Sequence, residues 1–302
     1  MENKIIKGDC LEVMKDIPDK SVDMILCDLP YGITQNKWDS VIELDKMWKE
    51  YSRIIKENGA IVLTSSQPFT SKLIMSNPKL FKYCLVWEKD KAGNILNSNR
   101  QVLKIHEDIC IFYKGQCVYN PQKELLEKPY KHKNRNVKSK NFGSNSLNYN
   151  ENGYTEYTHS FPKSIIRFSK EKGGIGSLHP TQKPVALFEY LIKTYTNEGD
   201  LVLDNCAGSG TTGVACKNLN RNFILIEKEE KYIKVIEERL GQQSVTDFTQ
   251  NSTSSGFPTE NSPNISLKDN SNELSQISSN DETSLNNNIK LNSQVLLQAR
   301  QS

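Results

Sequence analysis

The chain has 302 residues, enough for one large α/β domain or for one domain with an insertion. Its net charge of +3 is unevenly distributed, because residues 114–140 carry eight basic and two acidic side chains. Such a segment is typical of contact with a phosphate-rich partner, although a solvated surface loop gives the same pattern. The seven cysteines form no C-x-x-C pair, which argues against a zinc site and predicts a reduced, cytoplasmic protein. No apolar run approaches the roughly 20 residues that cross a bilayer, so no membrane contact is expected.

Apolar patterning predicts strands and helices in alternation. Compact apolar runs predict strands at Val22–Cys27, Ala60–Leu63, Tyr83–Trp87, Ile109–Tyr113, Leu201–Leu203 and Phe223–Ile226. Helical spacing predicts helices over Leu44–Ile55, Pro184–Tyr195, Thr211–Leu219 and Glu229–Leu240. Buried strands that alternate with amphipathic helices indicate an α/β fold, a mostly parallel sheet with helices on both faces.

Two stretches depart from this rhythm. Residues 114–165 are rich in Lys, Asn, Tyr and Gly and poor in aliphatics, which predicts a loop-rich insertion. After about Gly241 the chain turns to Ser, Asn and Gln, so residues 243–302 are expected to form a disordered polar tail. The chain is therefore divided into residues 1–113, 114–165, 166–242 and 243–302.

The first motif with chemical content is the pentapeptide Asp28–Gly32, directly after a predicted strand. Residues at the carboxyl end of a parallel strand face the crevice in which α/β proteins bind ligands. The exocyclic amine of a base is a poor nucleophile, and the Asp28 carboxylate and Leu29 carbonyl offer two acceptors for its N–H protons. Tyr31 offers a ring that can stack on the base. A strand ended by a tight Pro-Gly turn explains the same pentapeptide without chemistry.

The second motif is the glycine-rich stretch Asp204–Gly213, between a predicted strand and a predicted helix. Glycines let a ligand approach the backbone closely, and the helix start supplies free N–H groups. Glu227 lies 23 residues after Asp204, at the end of the next strand, where an acid can hold the hydroxyls of a ribose. The pattern favours an adenosine-containing cofactor and lacks the G-x-x-x-x-G-K-[ST] of a nucleoside triphosphatase. A structural glycine-rich turn remains the alternative.

Three stretches together resemble the motifs of a known family. Asp28–Tyr31 is similar to the D-P-P-Y catalytic motif of amino-methyltransferases, and Asp204–Gly210 resembles their glycine-rich S-adenosylmethionine motif. His179–Pro184 (HPTQKP) resembles the segment before that motif. Their order resembles the permuted β group of DNA adenine-N6 and cytosine-N4 methyltransferases. The resemblance covers roughly residues 4–113 and 175–240 and implies a Rossmann-like, S-adenosylmethionine-dependent methyltransferase fold.

The resemblance implies a role for each matching position. The catalytic residues are Asp28, Leu29, Pro30 and Tyr31, of which Leu29 departs from the family by replacing the first proline. The residues expected to bind S-adenosylmethionine are Asp9, Thr181, Lys183, Asp204, Ala207, Gly208, Ser209, Gly210, Thr211, Thr212 and Glu227. The insertion occupies the place of the target-recognition region, and the residues expected to contact DNA phosphates there are Lys131, Lys133, Arg135, Lys138 and Lys140. Residues 1–113 then form the catalytic part and residues 166–242 the cofactor-binding part.

The implied reaction is methyl transfer from S-adenosylmethionine to the exocyclic amine of a base flipped out of duplex DNA. Adenine N6 is the expected target, because the motif opens with Asp28 whereas the cytosine-N4 branch usually opens with Ser. Cytosine-N4 methylation, RNA adenine methylation and a catalytically silent nucleic-acid-binding module remain alternatives, and Asp28–Tyr31 argues against a nicotinamide-dependent oxidoreductase. Double-stranded DNA is the expected partner, no metal is expected, and the resemblance leaves room for a homodimer and a cognate restriction nuclease.

Overall fold

The computed structural model describes residues 3–32, 40–133, 154–169 and 182–241. The strands in these ranges are β1 (Lys4–Lys7), β2 (Val22–Asp28), β3 (Ile55–Ser65), β4 (Phe81–Gly93), β5 (Lys104–Phe112), β6 (Glu124–Lys133), β7 (Tyr154–Ser160), β8 (Ile165–Arg167), β9 (Leu201–Asp204) and β10 (Asn222–Glu227). The α-helices are α1 (Cys10–Val13), α2 (Leu44–Ile54), α3 (Phe69–Ser76), α4 (Val185–Tyr195), α5 (Thr211–Asn218) and α6 (Glu230–Leu240). No helix within the described ranges is both long and apolar enough to span a membrane.

Eight strands form one sheet in the order β1-β10-β9-β2-β3-β5-β4-β8. Neighbouring strands are parallel except at β5, which is antiparallel to both β3 and β4. The mostly parallel sheet predicted from the sequence is therefore confirmed. The central strand β2 has parallel neighbours on both sides, which explains why its sequence is an almost unbroken apolar run rather than an alternating one.

Helices cover both faces of this sheet, as the sequence pattern predicts. Met24 and Leu26 of β2 pack in one core with buried residues of α4, α5 and α6. Ile25 and Cys27, which point the other way, pack in a second core with α1, α2 and α3. The alternation of side chains along one strand thus divides the apolar residues of the described chain between two layers.

Helix α2 follows the predicted helical spacing and ends one residue earlier than predicted. Its buried residues lie on one face and are Leu44, Met47, Trp48, Tyr51 and Ile54. The chain then enters β3 at once, and the pair Asn58-Gly59, a sequence typical of turns, lies inside that strand. A Cβ at Gly59 would lie 2.8 Å from the Asp23 carbonyl oxygen, so this glycine permits a close approach of β3 to β2.

The insertion contains strands where the sequence pattern predicts loops. Strands β6 and β7 pair in antiparallel fashion as a separate two-stranded sheet. Many of their described side chains are exposed, so the strands lack the apolar alternation on which the sequence interpretation relied. The short strand β8 joins the edge of the main sheet beside β4 and was also not predicted.

The sheet brings the two motif-bearing strands together. Strands β2 and β9 are parallel neighbours, with Met24 opposite Val202 and Ile25 opposite Leu203. From β9 the chain continues to β10 on one side of this pair, whereas from β2 it continues to β3 on the other side. Such a reversal of strand order opens a crevice at the carboxyl ends of the two strands. Both motifs begin at this crevice.

A buried hydrogen bond joins helix α2 to the loop after β9. The Tyr51 hydroxyl donates to Asn205 Oδ1 at 2.5 Å, and both residues are buried. Tyr51→Phe is expected to lower the free energy of unfolding by about 1–3 kcal/mol, because the amide oxygen stays buried without its donor. Urea denaturation of the two proteins measures the difference.

Tyr113→Phe is the control for this prediction. The ring of Tyr113 is half-buried, and its hydroxyl makes no hydrogen bond to another described residue. The control variant is expected to unfold like the wild type. Equal stability of Tyr51→Phe and Tyr113→Phe would show that the bond to Asn205 contributes nothing.

Candidate active site

A cavity of about 500 Å³ lies at the carboxyl ends of β2 and β9. Residues of both sequence motifs line it, including Asp28 and Tyr31 from the first and Gly208 from the second. Lys183 and Glu227 also line it. Its volume falls in the range of about 300–1,000 Å³ that is usual for small-molecule and cofactor sites. The two motifs, distant in sequence, therefore share one pocket.

The carboxylate of Asp28 is held on both sides. Its Oδ1 accepts a hydrogen bond from the Tyr31 hydroxyl at 2.8 Å and another from the Thr64 hydroxyl of β3. Its Oδ2 accepts from the Lys183 ammonium group at 2.5 Å. The neighbouring strand and the segment before α4 thus fix the orientation of this carboxylate.

Lys183 belongs to a charged network with very little exposure to water. Its Nζ lies 3.4 Å from Glu107 Oε2, and Lys89 Nζ lies 2.9 Å from Glu107 Oε1. Glu107 Oε2 is buried and has no hydrogen-bond partner within the described residues. Two carboxylates, Asp28 and Glu107, therefore balance two ammonium groups in this part of the cavity wall.

Burial and charge act in opposite directions on the pKa values of this network. Burial alone would lower the pKa of Lys183, but the carboxylates of Asp28 and Glu107 outweigh it and raise that pKa above its ordinary value. Burial alone would raise the pKa of Glu107, but Lys183 and Lys89 hold it below its ordinary value. Lys183 and Glu107 consequently both carry their charge near neutral pH.

The ring of Tyr31 is held by contacts on several sides. It stacks on Phe69 of α3, with centroids 5.4 Å apart and planes 27° apart. The Lys183 ammonium group lies 5.8 Å from the ring centroid. Burial and the charge of Asp28 raise the pKa of the phenol well above its ordinary value, so the hydroxyl is a hydrogen-bond donor at neutral pH.

The glycine-rich loop is built around the buried carboxylate of Asp204. This carboxylate accepts hydrogen bonds from the Cys206 amide at 3.0 Å and from the Thr212 hydroxyl. Burial raises the pKa of Asp204 to about 6. Gly208 and Gly210 have φ angles of +54° and +78°, and a Cβ at Gly210 would lie 3.0 Å from Ile236. The loop thus needs glycine at Gly210 for its backbone conformation and for its packing.

Glu227 closes the other side of this loop. Its Oε2 accepts the Gly208 amide at 2.8 Å, and its Oε1 accepts the amides of Lys228 and Glu229 at 2.9 and 2.8 Å. Burial raises the pKa of Glu227 above its ordinary value. A carboxylate can accept about four hydrogen bonds, so one acceptor position is left for a ligand in the cavity.

Most of the residues expected to bind the cofactor meet at the cavity. Those that line it are Asp9, Lys183, Asp204, Ala207, Gly208, Ser209, Thr211 and Glu227. Gly210 and Thr212 are not among the lining residues, since one precedes α5 and the other is buried against Asp204. Asp9 also caps helix α1 by accepting the Leu11 amide at 3.0 Å. Thr181 lies outside the described residues.

Only part of the predicted DNA-binding segment is described. Lys131 and Lys133 belong to β6, where Lys131 is exposed and lies opposite Glu156 of β7. On the same small sheet the rings of Tyr130 and Tyr157 stack with centroids 5.2 Å apart. Arg135, Lys138 and Lys140 lie outside the described residues.

Sequence reasoning did not find Lys89 and Glu107, which line the cavity, or Thr64, which binds the Asp28 carboxylate. Thr64 follows the apolar run of β3, and Glu107 precedes the apolar run of β5, so in sequence both resemble ordinary residues at the ends of buried runs. Because β5 is antiparallel to β3, its first residues lie at the edge where β2 and β3 end. Glu107 lies two residues before the buried run Ile109–Phe112, which was the available signal, but its position depends on strand direction.

Known proteins resemble this chain in sequence and fold. A family model described as DNA methylase, of the N6/N4 methyltransferases, matches residues 22–238. The DNA adenine methyltransferase YhdJ of Escherichia coli is 30% identical over 246 residues, which is 76% of this chain and 80% of that protein. The type II methyltransferase M.HpaI of Haemophilus parainfluenzae is 27% identical over 80% of this chain and 76% of its own length.

A solved structure supports the same assignment. The crystal structure of the M1.HpyAVI complex with S-adenosylmethionine is 28% identical to this chain, with a TM-score of 0.56. The similarity covers 78% of this chain and 98% of that one. The resemblance predicted from the motifs is thereby confirmed, as are the α/β methyltransferase fold and the cofactor class. The chain belongs to the N6/N4 DNA methylase family of S-adenosylmethionine-dependent methyltransferases.

Proposed function

We propose that this protein methylates N6 of an adenine that has been flipped out of duplex DNA. The observation that carries the proposal is that Asp28 and the glycine-rich loop line the same cavity. The amine of a base that stays stacked in the duplex cannot reach a group inside such a pocket, so the base must leave the DNA helix. The opening Asp28 and the similarity to an E. coli DNA adenine methyltransferase favour adenine over cytosine.

The donor set around the glycine-rich loop fits S-adenosylmethionine. Glu227 would accept a hydrogen bond from the ribose, Asp9 would lie near the adenine, and the lack of a side chain at Gly208 would allow close approach of the ligand. By resemblance to the family, Thr181 and Lys183 would contact the methionine end of the cofactor. When bound, this cofactor supplies an electrophilic methyl group on a positively charged sulfur.

The first motif would prepare the amine for attack. Asp28 Oδ2 and the Leu29 carbonyl accept its two N–H protons, which turns the nitrogen lone pair out of conjugation with the ring. The side chain of Leu29 is 3% exposed, so burial fixes the backbone that carries this carbonyl without the usual proline. Asp28 also stabilises the positive charge that develops on nitrogen.

Lys183 would have to move when the amine arrives. Its ammonium group lies on Asp28 Oδ2, the atom that the amine needs. Glu107 Oε2 lies 3.4 Å from the same ammonium group, and no described residue donates a hydrogen bond to it. We infer that Lys183 moves from Asp28 to Glu107, so that the amine takes its place as the donor to Asp28 Oδ2 while the ammonium group keeps a carboxylate partner.

The stacked rings of Tyr31 and Phe69 would hold the flipped base. Tyr31 lines the cavity and is supported from behind by Phe69. Flipping costs a few kcal/mol, and stacking on an aromatic ring offsets about 1–3 kcal/mol of this. Because Phe69 already holds the Tyr31 ring in place, little conformational entropy of this ring is lost when the base binds.

Asp28→Ala is expected to reduce methyl transfer by at least about 100-fold, because the charge developing on nitrogen loses its carboxylate. Binding of S-adenosylmethionine, measured by calorimetry, should change little. Asp23→Ala is the matched control, since Asp23 lies on the same strand and its carboxylate binds Lys56 at 2.7 Å. Near-normal turnover in Asp28→Ala would contradict the assignment.

The substrate is tested with labelled S-adenosylmethionine on duplex DNA and on RNA in parallel. Mass analysis of the modified nucleoside should give N6-methyladenine in DNA. N4-methylcytosine would move the reaction to the other branch of the family. Label in RNA alone would refute DNA as the substrate and leave the chemistry in place.

Glu107→Gln is expected to lower kcat by about 10- to 100-fold, because Lys183 loses its second carboxylate and stays on Asp28. The same change also tests whether folding lowers the pKa of Glu107. A carboxylate whose pKa is lowered on folding stabilises the protein above its unfolded pKa and loses that effect as the pH falls through the folded pKa. The stability deficit of the variant should therefore be largest at neutral pH and disappear in acid.

Glu88→Gln is the control for this experiment. Glu88 lies on β4 and pairs with the exposed Arg167 at 2.8 Å. An exposed pair contributes little, so both kcat and stability should stay close to wild type. A Glu107→Gln variant with normal kcat would exclude the movement of Lys183 described above.

The basic segment would contact DNA phosphates. Joint replacement of Lys131, Lys133 and Arg135 by Ala is expected to weaken duplex binding and to flatten its dependence on salt. Each lost phosphate contact lowers the slope of log K against log salt by about 0.9. Joint replacement of three exposed lysines outside the insertion, Lys15, Lys46 and Lys49, is the control. An unchanged slope in the first variant would remove this segment from the interface.

A further inference from the structure

The turn between β4 and β5, residues 94–103, exposes large apolar side chains. Leu96 is 97% exposed, Val102 92% and Ile95 66%. Five of the thirteen large apolar side chains exposed among the described residues lie between Ile95 and Ile105. Single exposed apolar residues are ordinary, whereas such a concentration marks a surface that contacts another molecule.

The same turn is basic and rich in amides. Residues 91–104 contain no acidic residue and three basic ones, which are Lys91, Arg100 and Lys104. Four further side chains are amides, namely Asn94, Asn97, Asn99 and Gln101. Cations bind phosphates, amides hydrogen-bond base edges, and apolar side chains insert between stacked bases. The composition of the turn thus matches the three surfaces that duplex DNA presents.

The turn also begins and ends at the cavity. Gly93 and Lys104, the paired last and first residues of β4 and β5, line it together with Asn94. Asp28 lines the same cavity. A base that reaches Asp28 leaves a gap in the duplex, and this gap must lie next to the mouth of the cavity.

We propose that the turn of residues 94–103 enters the DNA beside the target base and that Leu96 fills the space which the flipped base vacates. This inference rests on the proposed function, because it assumes a base that leaves the duplex. It adds an apolar contact to the DNA interface, for which the sequence predicts only the basic segment of the insertion.

A second copy of the chain fits this surface less well. In a two-fold dimer the same patch faces itself, so Arg100 and the flanking Lys91 and Lys104 would meet the same cations of the second copy, with no acidic residue in the turn to balance them. Like charges placed together oppose association. The polyanionic backbone of DNA supplies the missing negative charge.

The test compares Leu96→Ala with the wild type on a duplex that carries the methylation site mapped in the substrate assay. Leu96→Ala should lower kcat/KM about tenfold or more on the paired duplex, because the vacated space is left unfilled. The defect should shrink to about twofold when the target base lies opposite an abasic position, since that base already leaves the stack easily. Binding of S-adenosylmethionine should be unchanged.

Met75→Ala is the matched control, because Met75 is 72% exposed on α3 and lies outside the turn. It should behave like the wild type on both duplexes. Normal kcat/KM in Leu96→Ala would overturn the proposal, and so would an equal defect on both duplexes. Loss of a dimer in sedimentation, with kcat/KM unchanged, would assign the surface to a second copy and also overturn it.

Duplex binding, measured by fluorescence anisotropy, separates this proposal from the proposed function. A wild-type protein that methylates no DNA would contradict the function. Duplex binding would then be the only test of the turn, and Leu96→Ala and Arg100→Ala should each weaken the complex with DNA. Equal binding of these variants and the wild type would reject the turn as a DNA-contacting element.

Discussion

The contact between Lys183 and Asp28 connects the two halves of the site. The residues lie 155 positions apart, and their charged groups meet at 2.5 Å in the wall of the cavity. Lys183 is 7% exposed, so its charge depends on the carboxylates around it rather than on water. Removing Lys183 would take a counter-charge from both Asp28 and Glu107, which makes this lysine a constraint on the residues nearby.

The sheet topology places this pair where chemistry can occur. Because β2 and β9 are parallel neighbours at the reversal of strand order, a carboxylate at the end of β2 and a glycine-rich loop at the end of β9 open into the same crevice. The antiparallel strand β5 then adds Glu107 from the opposite direction. The charge balance at Asp28 is therefore assembled from three strands and the segment before α4.

The sequence predicts the parts of this arrangement that are local. Spacing of apolar residues in α2 and the continuous apolar run of β2 are visible within one element, and the two motifs are each contiguous. The strands β6 and β7 were missed because their exposed side chains carry no periodic signal. Glu107 and Lys89 were missed because their positions depend on the register of β4 and β5, which no short stretch of sequence encodes.

We expect Lys183 to leave Asp28 when the target amine binds and to pair with Glu107 instead. A crystal structure with duplex DNA and the unreactive cofactor analogue sinefungin tests it most directly. We expect the exocyclic amine about 3 Å from Asp28 Oδ2 and the Leu29 carbonyl oxygen, with the Lys183 ammonium group at the same distance from Glu107 Oε2. A complex in which Lys183 stays on Asp28, with the amine bound elsewhere, would contradict the account.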